Sequence, residues 1–190
     1  MAQEVARQAK IDRATGETSV QVKLNLDGKG NFDGSTGIGF FDHMLHLMAR
    51  HALIDLTVEA SGDLHVDAHH TVEDTGICLG LALKEALGDK EGITRYGSAI
   101  IPMDEALALA AVDLSGRPYL GYEVSVPCYK AGEMPVELVP EFFRALVNNA
   151  GITLHLRLLS GENTHHIIEV LFKGFARALR EAVALSERES

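Results

Sequence analysis

From residue 18 to residue 26 apolar and polar positions alternate, with Val20, Val22, Leu24 and Leu26 on one face. A period of two predicts a half-buried strand. Residues 107–114 repeat the segment in a more apolar form. Residues 40–52 and 139–149 carry apolar side chains at helical spacing, and each is followed by a short strand-like run, 53–60 and 152–159. Two longer helices are predicted over 70–87, ending at Gly88, and over 165–185, with Asp67 and Asn163 or Thr164 at N-cap positions. Gly28-Lys29-Gly30 and Ser115-Gly116-Arg117-Pro118 read as turns. The order strand, strand, helix, strand, helix occurs twice. It predicts an α+β fold in which two sheets each bury one face against helices.

The two halves also match residue by residue. DAHHTVED at 67–74 and ENTHHIIEV at 162–170 share His-His-x-x-Glu, pairing His69 with His165, His70 with His166 and Glu73 with Glu169 at an offset of 96. Upstream, the stretch from His43 aligns without gaps to the stretch from Glu141 at an offset of 98. Glu17 to Lys29 aligns to Glu105 to Arg117 at an offset of 88, so the second copy is longer near 118–140 and shorter near 160. The chain reads as one domain, 1–190, built from an internally duplicated unit, about 1–92 and 93–190, with pseudo-two-fold symmetry.

Composition narrows the chemistry. Apolar residues make up 46% and charged residues 23% of the 190, enough for a core and ordinary for a globular chain. Seventeen Lys and Arg against 27 Asp and Glu give a net charge of −10, and no basic run provides a nucleic-acid groove. An anionic partner has to be small and held by a few placed cations, for which Arg95, Arg117, Lys173 and Arg177 are candidates. No apolar run reaches a membrane span, and the N-terminus lacks the apolar stretch of a signal peptide. Cys78 and Cys128 lie far apart without a CxxC, so a reducing, cytoplasmic location is expected and thiolate zinc sites are excluded. P-loop, dinucleotide-binding and nucleophile-elbow motifs are absent.

Nine histidines are the compositional outlier. Adjacent histidines on a helix point about 100° apart, so His69 and His70 face two different ions more readily than one. The same holds for His165 and His166. Imidazole with carboxylate favours Mn, Fe, Co, Ni or Zn over Mg or Ca, and the two helix starts offer six ligands for two metals. His43 and Glu141, equivalent in the repeat, are further candidate ligands. His46, His65 and His155 have no such equivalents and read as surface or hydrogen-bonded side chains.

GFFDHMLHLMARH, DAHHTVEDTGICLG, GITRYG, PMDEALA, DLSGRPYL and NTHHIIEVLFKGFARAL together resemble the imidazoleglycerol-phosphate dehydratase family over about residues 5–182. The resemblance implies a lyase of histidine biosynthesis with two Mn2+ per active site. It implies a duplicated α+β unit of the ribosomal protein S5 domain 2-like kind. It further implies a 24-subunit shell with active sites at subunit interfaces, acting on a small phosphorylated imidazole. By motif position one metal takes His43, His70, His165 and Glu169, and the other His69, Glu73, His166 and Glu141. Glu17 matches a substrate-contacting glutamate, residues from His43 to His51 a substrate-contacting stretch, and Arg95, Arg117 and Lys173 substrate- and phosphate-binding cations. Position 141, a histidine in many family members, is Glu141 here, and a carboxylate also ligates.

The implied reaction removes a hydroxyl next to the imidazole ring and a proton from the neighbouring, barely acidic carbon. Metals on both ring nitrogens favour the ring anion, which can expel the hydroxyl and acidify that C–H. Glu17, with Glu105 as its repeat counterpart, is the candidate base. Family members continue past the last helix into a Ser/Lys-bearing segment that closes over the phosphate, whereas this sequence stops at Ser190. An inactive or weakly active metal-bound shell is therefore one alternative. A dinuclear metallohydrolase acting through metal-bound water is another.

Overall fold

The computed structural model describes residues 6–186. The first copy contains β1 (Gln8–Ala14), β2 (Thr18–Asn25), β3 (Phe32–Ser35), α1 (Gly39–Ala52), β4 (Asp55–Gly62) and α2 (His69–Leu87). The second contains β5 (Tyr96–Met103), β6 (Ala106–Asp113), β7 (Tyr119–Glu123), β8 (Lys130–Ala131), β9 (Met134–Pro135), α3 (Leu138–Ala150), β10 (Thr153–Ser160) and α4 (Thr164–Ala182). The sheets run β1-β2-β4-β3 and β5-β6-β10-β7. In both, three antiparallel strands are followed by an edge strand parallel to its neighbour. Identical strand order in the two halves is the duplication that the repeat predicts.

Alternation sets the inward face. Thr18, Val20, Val22 and Leu24 of β2 are buried, and their repeat equivalents in β6 are Ala106, Ala108, Ala110 and Val112. Each sheet lays this face on one long helix, α2 on β1 and β2, α4 on β5 and β6. The shorter helices fill the space between, α1 beside α4 and α3 beside α2. Phe41, Phe142, Phe143, Phe172 and Phe175 meet there, fully buried, with ring centroids 4.9–5.5 Å apart. His43 and Glu141 stand close in sequence to Phe41 and Phe142, so this cluster fixes where α1 and α3 present their candidate ligands.

Two features depart from the sequence reading. Each copy has an additional edge strand, β3 or β7, for which no alternation is visible. Gly34 (φ +105°) enables β3, because a Cβ there would lie 2.0 Å from the Val58 carbonyl oxygen. Helix α4 ends at Ala182, short of residue 185, and Leu185 instead bridges to Ile93. The longer second-copy segment contains the β8–β9 hairpin. Among the described residues no helix is long and apolar enough to cross a membrane. The closing segment considered after the last helix falls in part on residues 187–190, outside the described residues.

Candidate metal centre

Both His-His-x-x-Glu motifs open a long helix. For α4 the cap is Asn163, whose side chain accepts from the His166 backbone N–H at 3.2 Å. For α2 the helix begins after Ala68, and Asp67 accepts from the His69 N–H at 2.8 Å. Steps of four then place His165, Glu169, Lys173 and Arg177 along one face of α4, and α1 packs beside this helix.

His43, His165 and Glu169 converge there, one ligand atom from each lying within 4.8 Å of the other two. Glu169 Oε2 is 3.0 Å from His165 Nε2 and 3.6 Å from His43 Nε2, and Oε1 is 2.5 Å from Lys173 Nζ. Burial pushes the Glu169 carboxyl up, but Lys173, His165 and His43 together bring it below its ordinary value. Two exposed imidazoles flank this buried carboxylate. The donor set, two neutral-capable nitrogens and an ionised oxygen around an open side, suits a first-row divalent cation. Farther along α1, burial and then the charges of Lys173, Arg177 and Arg50 hold His51 below the ordinary histidine value.

The other candidates form separate groups within the chain. His69 Nε2 lies 3.7 Å from Glu73 Oε2. His70 Nδ1 pairs with Asp63 Oδ2 at 2.9 Å. Glu141 pairs with Arg144 one turn along α3. His166 Nδ1 pairs with Glu105 Oε2 at 2.8 Å. Glu105 Oε1 also accepts from the Asn163 and Glu162 N–H groups at 2.7 and 3.2 Å. These bonds, His166 foremost, pull the Glu105 carboxyl down to about 2. Its repeat counterpart Glu17 is exposed. Of each implied set of four metal ligands, the first has three members together in one chain, and His70 stands elsewhere.

The candidate cations also split. Arg95 donates through Nε to Asp113 Oδ1 at 2.8 Å and lies over the Tyr96 ring, while Arg117 Nη2 is 3.8 Å from Asp113 Oδ2. Lys173 sits instead beside Glu169. His46 stacks on Phe32 and His155 packs against Tyr119, the bland roles expected of them. Sequence reasoning missed Asp63 and Asp113. Asp63 lies in a loop without a matched counterpart, and Asp113 aligns with Asn25, so the repeat gave no signal for either.

Known proteins resemble this chain over most of its length. The sequence model of the imidazoleglycerol-phosphate dehydratase family matches residues 36–179. A Moorella thermoacetica protein of that name is 59% identical over 185 residues, covering 97% of this chain and 94% of its own. One from Clostridium botulinum (strain Langeland) is 61% identical over 180 residues, covering 95% and 92%. The crystal structure of the Staphylococcus aureus N315 enzyme superposes with a TM-score of 0.86 at 42% identity, covering 94% of this chain and 99% of that one. The Pyrococcus furiosus structure, in complex with (S)-C348, gives 0.81 at 40% identity, covering 95% and 97%.

Proposed function

The chain belongs to the imidazoleglycerol-phosphate dehydratase family, and from that premise we propose that its repeated histidine motifs hold two Mn2+ ions. The protein is a hydro-lyase of histidine biosynthesis, removing water from imidazole glycerol phosphate to give imidazole acetol phosphate. The observation that carries the metal reading is the convergence of His43, His165 and Glu169, drawn from both repeats, on one open-sided cluster. His70 from a neighbouring subunit would complete that set. His69, Glu73 and Glu141 with a neighbour's His166 would form the other. Incomplete sets within one chain favour assembly into the 24-subunit shell, and two unpaired cysteines fit a cytoplasmic setting.

The two ions, when bound, supply positive charge that stabilises the deprotonated form of the substrate ring. Glu17, exposed and outside the ligand sets, takes the proton from the carbon beside the one losing hydroxyl. Glu105 is the weaker candidate base, because its carboxylate is already committed to His166 and to the start of α4. Lys173 of one subunit with Arg95 and Arg117 of a neighbour would hold the phosphate, so binding energy remote from the reacting carbons orients them. His51, on the same helix as His43, offers an imidazole to the substrate.

Purified protein loaded with Mn2+ is expected to dehydrate imidazole glycerol phosphate without releasing phosphate. Glu169→Gln is expected to lose both bound metal and turnover. Phosphate release without dehydration would favour the metallohydrolase alternative. Full turnover by Glu169→Gln would overturn the assigned metal site.

A further inference from the structure

We infer that Asp63 and Glu105 are positioning residues for the candidate ligands His70 and His166. Each holds the Nδ1–H of its imidazole and leaves Nε2 as the atom free to bind metal. The inference rests on the ligand reading above. A neutral imidazole carries one N–H, and the partner of one ring nitrogen decides where it sits. A carboxylate 2.9 Å from His70 Nδ1 and another 2.8 Å from His166 Nδ1 make the same choice twice. Ligating histidines commonly have such a carboxylate on the opposite nitrogen, which fixes ring orientation and raises basicity. At His166 the ligand atom stays accessible. Asp104 approaches Nε2 only to 3.9 Å and is mostly exposed.

The two carboxylates come from non-equivalent places in the repeat. Glu105 at the start of β6 has Glu17 as its repeat counterpart. If the pairing followed the repeat, Glu17 would hold His70. Asp63, from the turn after β4, takes that role, and its other oxygen is buried without a hydrogen-bond partner. Glu17 is thereby released to face substrate. One ancestral position thus serves two purposes: orienting a ligand in the second copy, and moving a proton in the first.

Metal-stripped full-length protein and its variants can be titrated with Mn2+ by equilibrium dialysis. Asp63→Ala is expected to weaken one class of site by about 10–100-fold and leave the other unchanged. Asp63→Asn, which keeps an oxygen acceptor, recovers part of the loss. Raising Mn2+ restores turnover in Asp63→Ala and in Glu105→Gln, and the visible spectrum of Co2+-loaded Asp63→Ala changes. Asp63→Leu, similar in size without an acceptor, serves if the alanine variant does not fold. Parent-like affinity in both Asp63→Ala and Glu105→Gln, while His70→Ala loses a site, would overturn the inference. So would an equal loss at both sites accompanied by a lower Tm. If His70→Ala retains both sites, the failure lies in the ligand reading itself.

Discussion

Glu17 and Glu105 occupy equivalent positions, yet only Glu105 is tied down, by His166 and two backbone N–H groups. This difference predicts different kinetics. Glu17→Gln is expected to lower kcat by about 10²–10⁴-fold, the scale of a lost general base, at unchanged bound Mn2+. Excess metal does not restore it. Glu105→Gln is expected to lose activity only where Mn2+ is limiting. Rescue of Glu17→Gln by metal, with Glu105→Gln refractory, would exchange the two roles. Much of this is legible in the sequence, because a His-His-x-x-Glu pattern recurring at one offset is hard to mistake for scattered surface histidines. What each imidazole leans on is not legible. Asp63 follows Gly62 in a loop that differs in length between the copies, so no periodicity or alignment points to it.

Helices α2 and α3 approach closely through Gly76 and Gly80. A Cβ on Gly76 would fall 2.7 Å from the Phe142 carbonyl oxygen, and one on Gly80 would fall 2.5 Å from that of Leu146. Gly76→Val is expected to cost about 1–3 kcal/mol by forcing the helices apart. It also shifts the start of α3, where Glu141 stands beside Phe142, so metal affinity should drop with Tm in a calorimetric and dialysis comparison. Sequence periodicity located both helices but gave their glycines no meaning, since a contact between α2 and α3 joins residues some 66 positions apart. The same long range hides the tie between chain ends. Arg7 donates through Nε to Asp27 Oδ2 at 3.0 Å and through Nη1 to the Val183 carbonyl at 2.5 Å. Arg7 lowers the Asp27 carboxyl. The resulting stability is present above the unfolded carboxyl value, near pH 4, and is lost as pH falls through the lower folded value. For this partly exposed pair it amounts to less than about 1 kcal/mol. Urea midpoints of Asp27→Asn should therefore fall slightly below the parent at pH 7, with the gap closing as pH falls below the ordinary carboxyl value.

At the scale of the whole molecule, the duplicated α+β architecture was legible because strand alternation and helix spacing repeat in step. The edge strands β3 and β7 were not, because one is four residues long and both depend on parallel pairing to β4 or β10. Nor could spacing alone show that the eight candidate ligands fall into groups that a single chain does not close. If neighbouring subunits close them, stripping the metal should loosen the assembly. Light scattering is expected to show a large particle with Mn2+ and smaller species after chelation, reversing when metal is returned. An unchanged particle would separate assembly from metal binding. The most direct measurement of the central claim is turnover of imidazole glycerol phosphate against Mn2+ bound per chain, counted in the same samples. Stripped protein is expected to show no dehydration, with turnover rising to a plateau at two ions per chain. Full dehydration by metal-free protein, or a plateau reached with no ion bound near His43, His165 and Glu169, would contradict it.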